Sequence, residues 1–222
     1  LVEGTTERIL MPRICRLVDE GLPDGQKLTC QYVSTVEVSG AYASKFYPLL
    51  DFLELKSLVI TDLDALYLDE AKKPARWKKC PTAKGSRSGN AALRAWYKVK
   101  EGQALLLADL AAKQDADKIS GYCRIAYQIP EPGSAHCARS YEDALILANP
   151  QLFMLTEEDR ANDAWDKAQE LHKTDTALDF AIREEVWVVP HYIREGLIWL
   201  SQPPPPPTEP PAIDAGAEQP AA

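Results

Sequence analysis

Two short apolar runs, each ending in a pair of acids, constrain this chain more than any other feature. The first is LVEGTTE over residues 1–7, carrying Glu3 and Glu7; the second is LVITDLD over residues 58–64, carrying Asp62 and Asp64. If both runs are neighbouring strands of one parallel sheet, their C-terminal ends open into one crevice. Open α/β sheets usually bind their ligands there. Four carboxylates gathered in that place repel by about 4 kcal/mol per close pair at an intermediate effective dielectric. A divalent cation relieves the repulsion, so the pattern reads first as a metal site.

The stretches between the acidic pairs alternate in period. Ile9, Leu10, Ile14, Leu17 and Val18 fall at helical spacing, with Thr5 or Thr6 as cap, Pro12 inside and turn chemistry from Gly21 to Gly25. Residues 28–38 are β-rich and predict a second strand, broken by Gly40. Residues 42–53 predict an amphipathic helix containing Pro48, and 55–61 a third strand. Strand, helix, strand, helix, strand implies a parallel α/β sheet with right-handed crossovers. Residues 122–129 predict a further strand, and 141–147, 156–171, 174–184 and 192–200 predict helices.

The chain divides on this reading into a first core part (1–65), an inserted helical and basic segment (66–120), a second core part with C-terminal helices (121–201) and a Pro-rich tail (202–222). A helix is expected within the insertion near 101–114. The tail, PPPPPTEPPAIDAGAEQPAA after residue 202, is expected to be disordered and polyproline-like.

Charge separates along the chain. The net charge of -8 argues against nucleic-acid binding, yet residues 72–100 hold ten Lys or Arg and no acid. Such an island is a candidate phosphate-contacting surface, with Lys78, Lys79, Lys84 and Arg87 as its candidate DNA contacts. The plainer reading is a solvated loop whose lysines keep it soluble. Trp77, Trp96 and Tyr97 either stack on bases or pack the insertion against the core.

Five scattered cysteines without a C-x-x-C pair point to reduced thiols in a cytosolic setting, and the three histidines do not cluster. No apolar stretch approaches the roughly 18–20 residues of a membrane span. The chain lacks an initiator Met and opens inside a strand-like run, which reads as a piece of a longer protein.

Hard oxygen donors with no His or Cys nearby select magnesium or manganese over zinc. Four or five carboxylates carry enough charge for two ions, which about 4 Å apart stabilise both the attacking and leaving oxygens of a phosphoryl displacement.

These residues carry a resemblance. LVEGTTE on a first strand and turn, with ITDLD after a later strand, resembles the Toprim fold of primases, topoisomerases and certain nucleases. The second Glu of the first motif resembles the overcoming-lysogenization-defect (OLD) family of nucleases more particularly. RSYEDAL (139–145) is similar to that family's later acidic motif, KTDTAL (173–178) to its lysine motif, and the pattern from Trp187 through Pro190, Tyr192 and Gly196 to Leu200 to its C-terminal region.

The resemblance spans about residues 1–200 and implies a Toprim fold: a central, mainly parallel sheet flanked by helices, with an inserted subdomain. It implies Glu3, Glu7, Asp62, Asp64 and Glu142 as ligands of two Mg2+ or Mn2+ ions, and Lys173 as the cation stabilising developing negative charge. The implied activity is metal-dependent cleavage of DNA in a bacterial cytoplasm, in a defence or repair setting, with no membrane partner. Family members join an ATPase to the nuclease; this chain has no phosphate loop, since Lys84-Gly85-Ser86 lacks the upstream glycine. The ATPase half is thus an expected partner outside this sequence, as is a homodimer formed through the full-length protein.

Two other readings stay open. VITDLD also resembles the nucleophile motif of haloacid-dehalogenase-like phosphatases, although Leu66 stands where that motif has Thr or Val, and Glu3 and Glu7 gain no role. A non-catalytic Toprim module binding DNA or a partner is the third. A topoisomerase is disfavoured, because a Toprim half alone supplies no separate tyrosine domain.

Overall fold

The computed structural model describes residues 1–39, 42–156 and 160–204. Its centre is a small sheet. Strand β1 (Ser57–Ile60) pairs in parallel with β6 (Cys123–Ala126), and β6 pairs antiparallel with β5 (Ile119–Ser120). On the free side of β1 lies the chain start. The Leu1 ammonium donates to Leu58 O at 2.6 Å and Ile60 N donates to Leu1 O at 2.9 Å, the paired bonds of a parallel register. Val2 in turn bridges Glu37 in parallel. The sheet order is therefore 36–38, 1–2, β1, β6, β5, parallel except at β5.

The sheet is covered on both faces, as its unbroken apolar runs require. Leu58, Ile60 and Ala126 face a core built with helices α1 (Thr5–Asp19), α5 (Tyr141–Ala148), α6 (Arg160–Glu170), α7 (Lys173–Ile182) and α8 (His191–Ser201). Val59, Cys123, Ile125 and Tyr127 face the opposite core, built with α2 (Ala43–Leu53), α3 (Ala91–Trp96) and α4 (Leu107–Ala111). Alternation along each strand assigns the faces. Helix α8 lies tight against the sheet: a Cβ on Gly196 would sit 2.8 Å from Leu58 Cδ1 and 3.3 Å from Ala126 Cβ.

The inserted stretch carries strands as well as helices. β2 (Ala65–Asp69), which starts immediately after Asp64, pairs antiparallel with β3 (Arg76–Lys79) on one side and β4 (Arg87–Ser88) on the other. The helix expected near 101–114 is confined to α4, because Gly102 takes φ +79° in a turn before it and a 3-10 turn, Asp115–Lys118, follows. Trp96 and Tyr97 take the packing role. Trp96 meets Tyr47 edge-on at 5.4 Å, and Tyr97 meets Tyr127 at 6.4 Å.

The strand expected over 28–38 is mostly absent. Leu28–Cys30 form a 3-10 turn, and only residues 36–38 reach the sheet. The cause is Asp19 at the end of α1. Its buried carboxylate accepts from Leu28 N at 2.7 Å, Thr29 N at 2.9 Å and the Thr29 hydroxyl at 2.6 Å, capturing donors a strand would have used. Tyr32, left in the open, is 98% exposed.

The helices expected at the C-terminal end are present as α5 to α8, with α6 described from Arg160. All five cysteines are free thiols. Among the described residues no helix is long and apolar enough to cross a membrane. Gly40 and the tail from residue 205 lie outside the described residues.

Candidate active site

The site grows from two strand ends. Glu3 follows the Leu1–Val2 pairing, and the extended Gly4 then caps α1, which carries Glu7 in its first turn. Glu7 folds back over that glycine: a Cβ on Gly4 would lie 3.1 Å from Glu7 Oε2. Thr61 extends the ladder beyond β1 by donating its N–H to Ala126 O at 3.0 Å, and Asp62 follows it. The Glu3 carboxylate is anchored through one oxygen. Its Oε1 accepts from the Thr61 hydroxyl, from Asp62 N at 3.1 Å and from Asn90 Nδ2 at 3.0 Å.

Asp62 is held by Gln128, just past the end of β6. Gln128 Nε2 donates to Asp62 Oδ1 at 2.7 Å and to the Tyr192 hydroxyl at 3.3 Å, while its Oε1 accepts from Leu63 N at 2.6 Å. Both ends of the amide are used, so its orientation is settled by the bonds themselves.

Two residues beyond Asp62, Asp64 would share its face on an extended backbone, but it does not. It takes φ +51°, and its carboxylate meets the Arg139 guanidinium. Arg139 is itself buried, and its Nε donates to Ala65 O at 3.3 Å. Main-chain bonds close the turn: Asp64 N donates to Arg139 O at 3.2 Å, and Gly89 N to Asp64 O at 2.9 Å.

Glu142 and Asp143 share the start of α5 but divide the work. Asp143 accepts from Arg139 N, Ser140 N and the Ser140 hydroxyl, each at 2.6 Å, and so satisfies the helix entry. Glu142 accepts from the Ser140 hydroxyl at 3.2 Å through Oε2 and pairs through Oε1 with Lys173, whose Nζ lies 2.8 Å away. Lys173 opens α7, 31 positions beyond Glu142, and its side chain stays 63% exposed.

The carboxylates repel one another. Burial pushes Asp62 well above the ordinary carboxylate range, and Glu3, Glu7, Asp64 and Glu142 push it further. Glu7 rises to about 7, from burial first, then from Glu142 and Glu3, against the pull of its own backbone N–H and of Lys173. Burial disfavours the Lys173 ammonium, yet its bond to Glu142 and the charges of Asp62 and Glu7 raise its pKa. The Tyr141 hydroxyl is buried beside Glu7 and Glu142 with no hydrogen-bond partner among the described residues.

Among the described residues, no three His, Cys, Asp or Glu side chains already converge as ligands about one point. The reason is visible in the bonds above, where Gln128, Arg139 and Lys173 each occupy a carboxylate oxygen. The donor set still fits a hard divalent cation: all oxygen, mutually repelling, with one orphaned hydroxyl at its edge. A hollow of about 430 Å³ between Leu152, Phe153, Leu171, His172 and Phe180 shares no residue with this centre.

The basic residues are distributed unevenly. Lys79 and Lys84 are exposed. Lys78 is paired with Asp69 at 2.6 Å, and the Arg87 guanidinium stacks over Trp77 at 3.5 Å from the ring centroid. Cross-strand pairing puts Lys79 and Arg87 opposite Leu66 and Trp77 opposite Leu68, so these five share one face of the inserted sheet.

Gln128 and Asn90 are the site residues that sequence patterns do not reveal, and Arg139 lay inside the RSYEDAL stretch without a role of its own. Asp143 had a visible signal, the Ser140-x-x-Asp143 spacing of a helix entry.

The family model for the overcoming lysogenization defect protein-like TOPRIM domain matches residues 1–64. Endonuclease GajA of Bacillus cereus (strain HuB5-5) is 27% identical over 230 residues, covering 90% of this chain. The chain spans 31% of that relative's length. No solved structure matches. Strand ends, acidic pairs and family match coincide over residues 1–64, the stretch that is similar to the TOPRIM domain of overcoming lysogenization defect protein-like proteins.

Proposed function

We propose that this chain is the catalytic part of a divalent-metal-dependent endodeoxyribonuclease. The carrying observation is the meeting of three separated acidic segments: Glu3 accepts from Asp62 N, Glu3, Glu7, Asp64 and Glu142 all raise the Asp62 pKa, and Lys173 pairs with Glu142. The similarity to an endonuclease supports the same reading.

In this reading Glu3, Glu7, Asp62, Asp64 and Glu142 would hold Mg2+ or Mn2+, and the acid count suits two ions. Bound ions supply neutralising charge and make a coordinated water more acidic. Lys173 offers a compact cation against the negative charge that builds on the phosphate or the leaving oxygen. Asp143 fixes the entry of the helix that carries Glu142, and Gln128 orients Asp62.

DNA reaches the centre along the inserted sheet. Its face of Lys79, Arg87 and Trp77 combines cations with an aromatic surface, the pairing that suits a nucleic-acid strand. The ATPase partner and the pairing of full-length copies belong to the longer protein that the resemblance implies. A phosphatase gives Glu3 and Glu7 nothing to do, although they crowd Asp62. The non-catalytic module remains the second reading.

A plasmid-cleavage assay tests the proposal. Nicking or linearisation is expected with Mg2+ or Mn2+ and none in EDTA; a well-folded protein inert with every metal would leave the binding module as the better reading. The surface makes its own prediction. Lys79→Glu with Lys84→Glu should weaken DNA binding at every sequence and flatten the log affinity against log salt plot by about one per lysine. Lys78→Glu should do less, because Asp69 already neutralises it. An effect of Lys78→Glu equal to that of Lys79→Glu alone would remove this sheet face from the interface.

A further inference from the structure

Asn90 stands where the basic segment meets the acidic centre. It is 3% exposed, at the junction of β4 and α3. Its Oδ1 accepts from Leu93 N at 3.1 Å, which caps α3. Its Nδ2 lies 3.0 Å from Glu3 Oε1 and 3.0 Å from Thr61 Oγ1. The residues just before it grip the other acidic loop. Ser88 Oγ donates to Leu63 O at 2.6 Å and accepts from Asn90 N at 3.1 Å, and Gly89 N donates to Asp64 O at 2.9 Å.

We propose that Asn90 is a positioning residue: its amide pins Glu3 for a divalent cation, which makes the inserted segment a working part of the metal-binding centre. The inference rests on the metal-dependent reading above. All the donors to the Glu3 side chain fall on Oε1: Thr61 Oγ1, Asp62 N and Asn90 Nδ2. Oε2 has no hydrogen-bond donor among the described residues. A carboxylate anchored by one oxygen and free at the other is pre-set as a ligand, since the anchor removes rotamers that do not face the ion. Thr61 and the Asp62 N–H belong to the acidic loop itself. Asn90 alone brings an anchor from outside, and it lies three residues beyond Arg87 on the candidate DNA-facing sheet.

Helix capping is the competing role, and substitution separates the two. Asn90→Ser keeps an oxygen able to cap α3 but removes the amide donor; Asn90→Ala removes both. Mn2+ binding is measured by calorimetry and by electron paramagnetic resonance of free Mn2+, with melting temperature in EDTA alongside. Asn90→Ser is expected to bind Mn2+ about tenfold more weakly, the low end for loss of a ligand's supporting partner, while melting near wild type. Asn90→Ala should show the same weakening together with a lower melting temperature. Asn90→Thr, which also caps, serves if the serine variant does not fold.

Wild-type affinity in Asn90→Ser, with only Asn90→Ala losing stability, would make Asn90 a cap and overturn the inference. A wild type that binds no Mn2+ at all would instead sink the metal-dependent reading, and this inference with it.

Discussion

Asp62→Asn is expected to abolish metal-dependent DNA cleavage while leaving the fold intact. Asparagine keeps the shape of the side chain and an oxygen for Gln128 Nε2, which donates to Asp62 Oδ1 at 2.7 Å. It removes the charge that the other four carboxylates bear upon. Losing a mere supporting partner of a metal ligand costs up to about a hundredfold in metal affinity or activity; losing a ligand should exceed that. In EDTA the variant should melt higher than wild type, because a carboxylate pushed well above its ordinary range by burial and like charge has been neutralised. Plasmid cleavage, circular dichroism and thermal melting check the three parts. Retained cleavage at anything near the wild-type rate would take Asp62 out of the centre.

Glu7 predicts a pH dependence of stability. Its carboxyl is raised from 4.5 to about 7 in the folded protein, chiefly by burial. An acid with a raised folded pKa binds its proton more tightly folded than unfolded. Below pH 4.5 both states hold the proton and nothing is lost. Between 4.5 and about 7 the unfolded chain releases it first, so stability falls as pH rises, and the full loss persists above 7. That interval corresponds to about 3 kcal/mol, or roughly 6–12 °C of melting temperature for a chain of this size. In EDTA, Glu7→Gln should therefore gain on wild type between pH 5 and pH 8, and Mn2+ at pH 8 should close the gap by stabilising wild type alone. A difference between the two proteins that does not change with pH would show that Glu7 is not held in this way.

The acidic centre was legible because its members carry local signals. Glu3 and Asp62 end apolar runs, Glu7 and Glu142 sit in first helical turns, and Lys173 stands directly at a helix start. Each signal needs only a few neighbouring residues. Gln128 and Asn90 carry none. Each is a lone polar residue whose meaning depends on Asp62 or Glu3, 66 and 87 positions away. Asp64 shows the same limit from the other side. Two residues after Asp62 on an extended backbone it would share that face, but its left-handed turn and Arg139 take it elsewhere. Nor does local β preference settle 28–38, where Asp19 withdraws the donors of Leu28 and Thr29.

Sequence alone determined that this chain is an α/β domain with a mainly parallel central sheet and acidic residues at its strand ends, because hydrophobic period and strand-end acids act over a few residues. Tertiary structure alone decided which amide holds which carboxylate, and that the inserted basic segment reaches into the centre through Asn90. Hydrogen bonds of about 3 Å are set by how whole elements pack, and packing brings together residues that no local pattern relates.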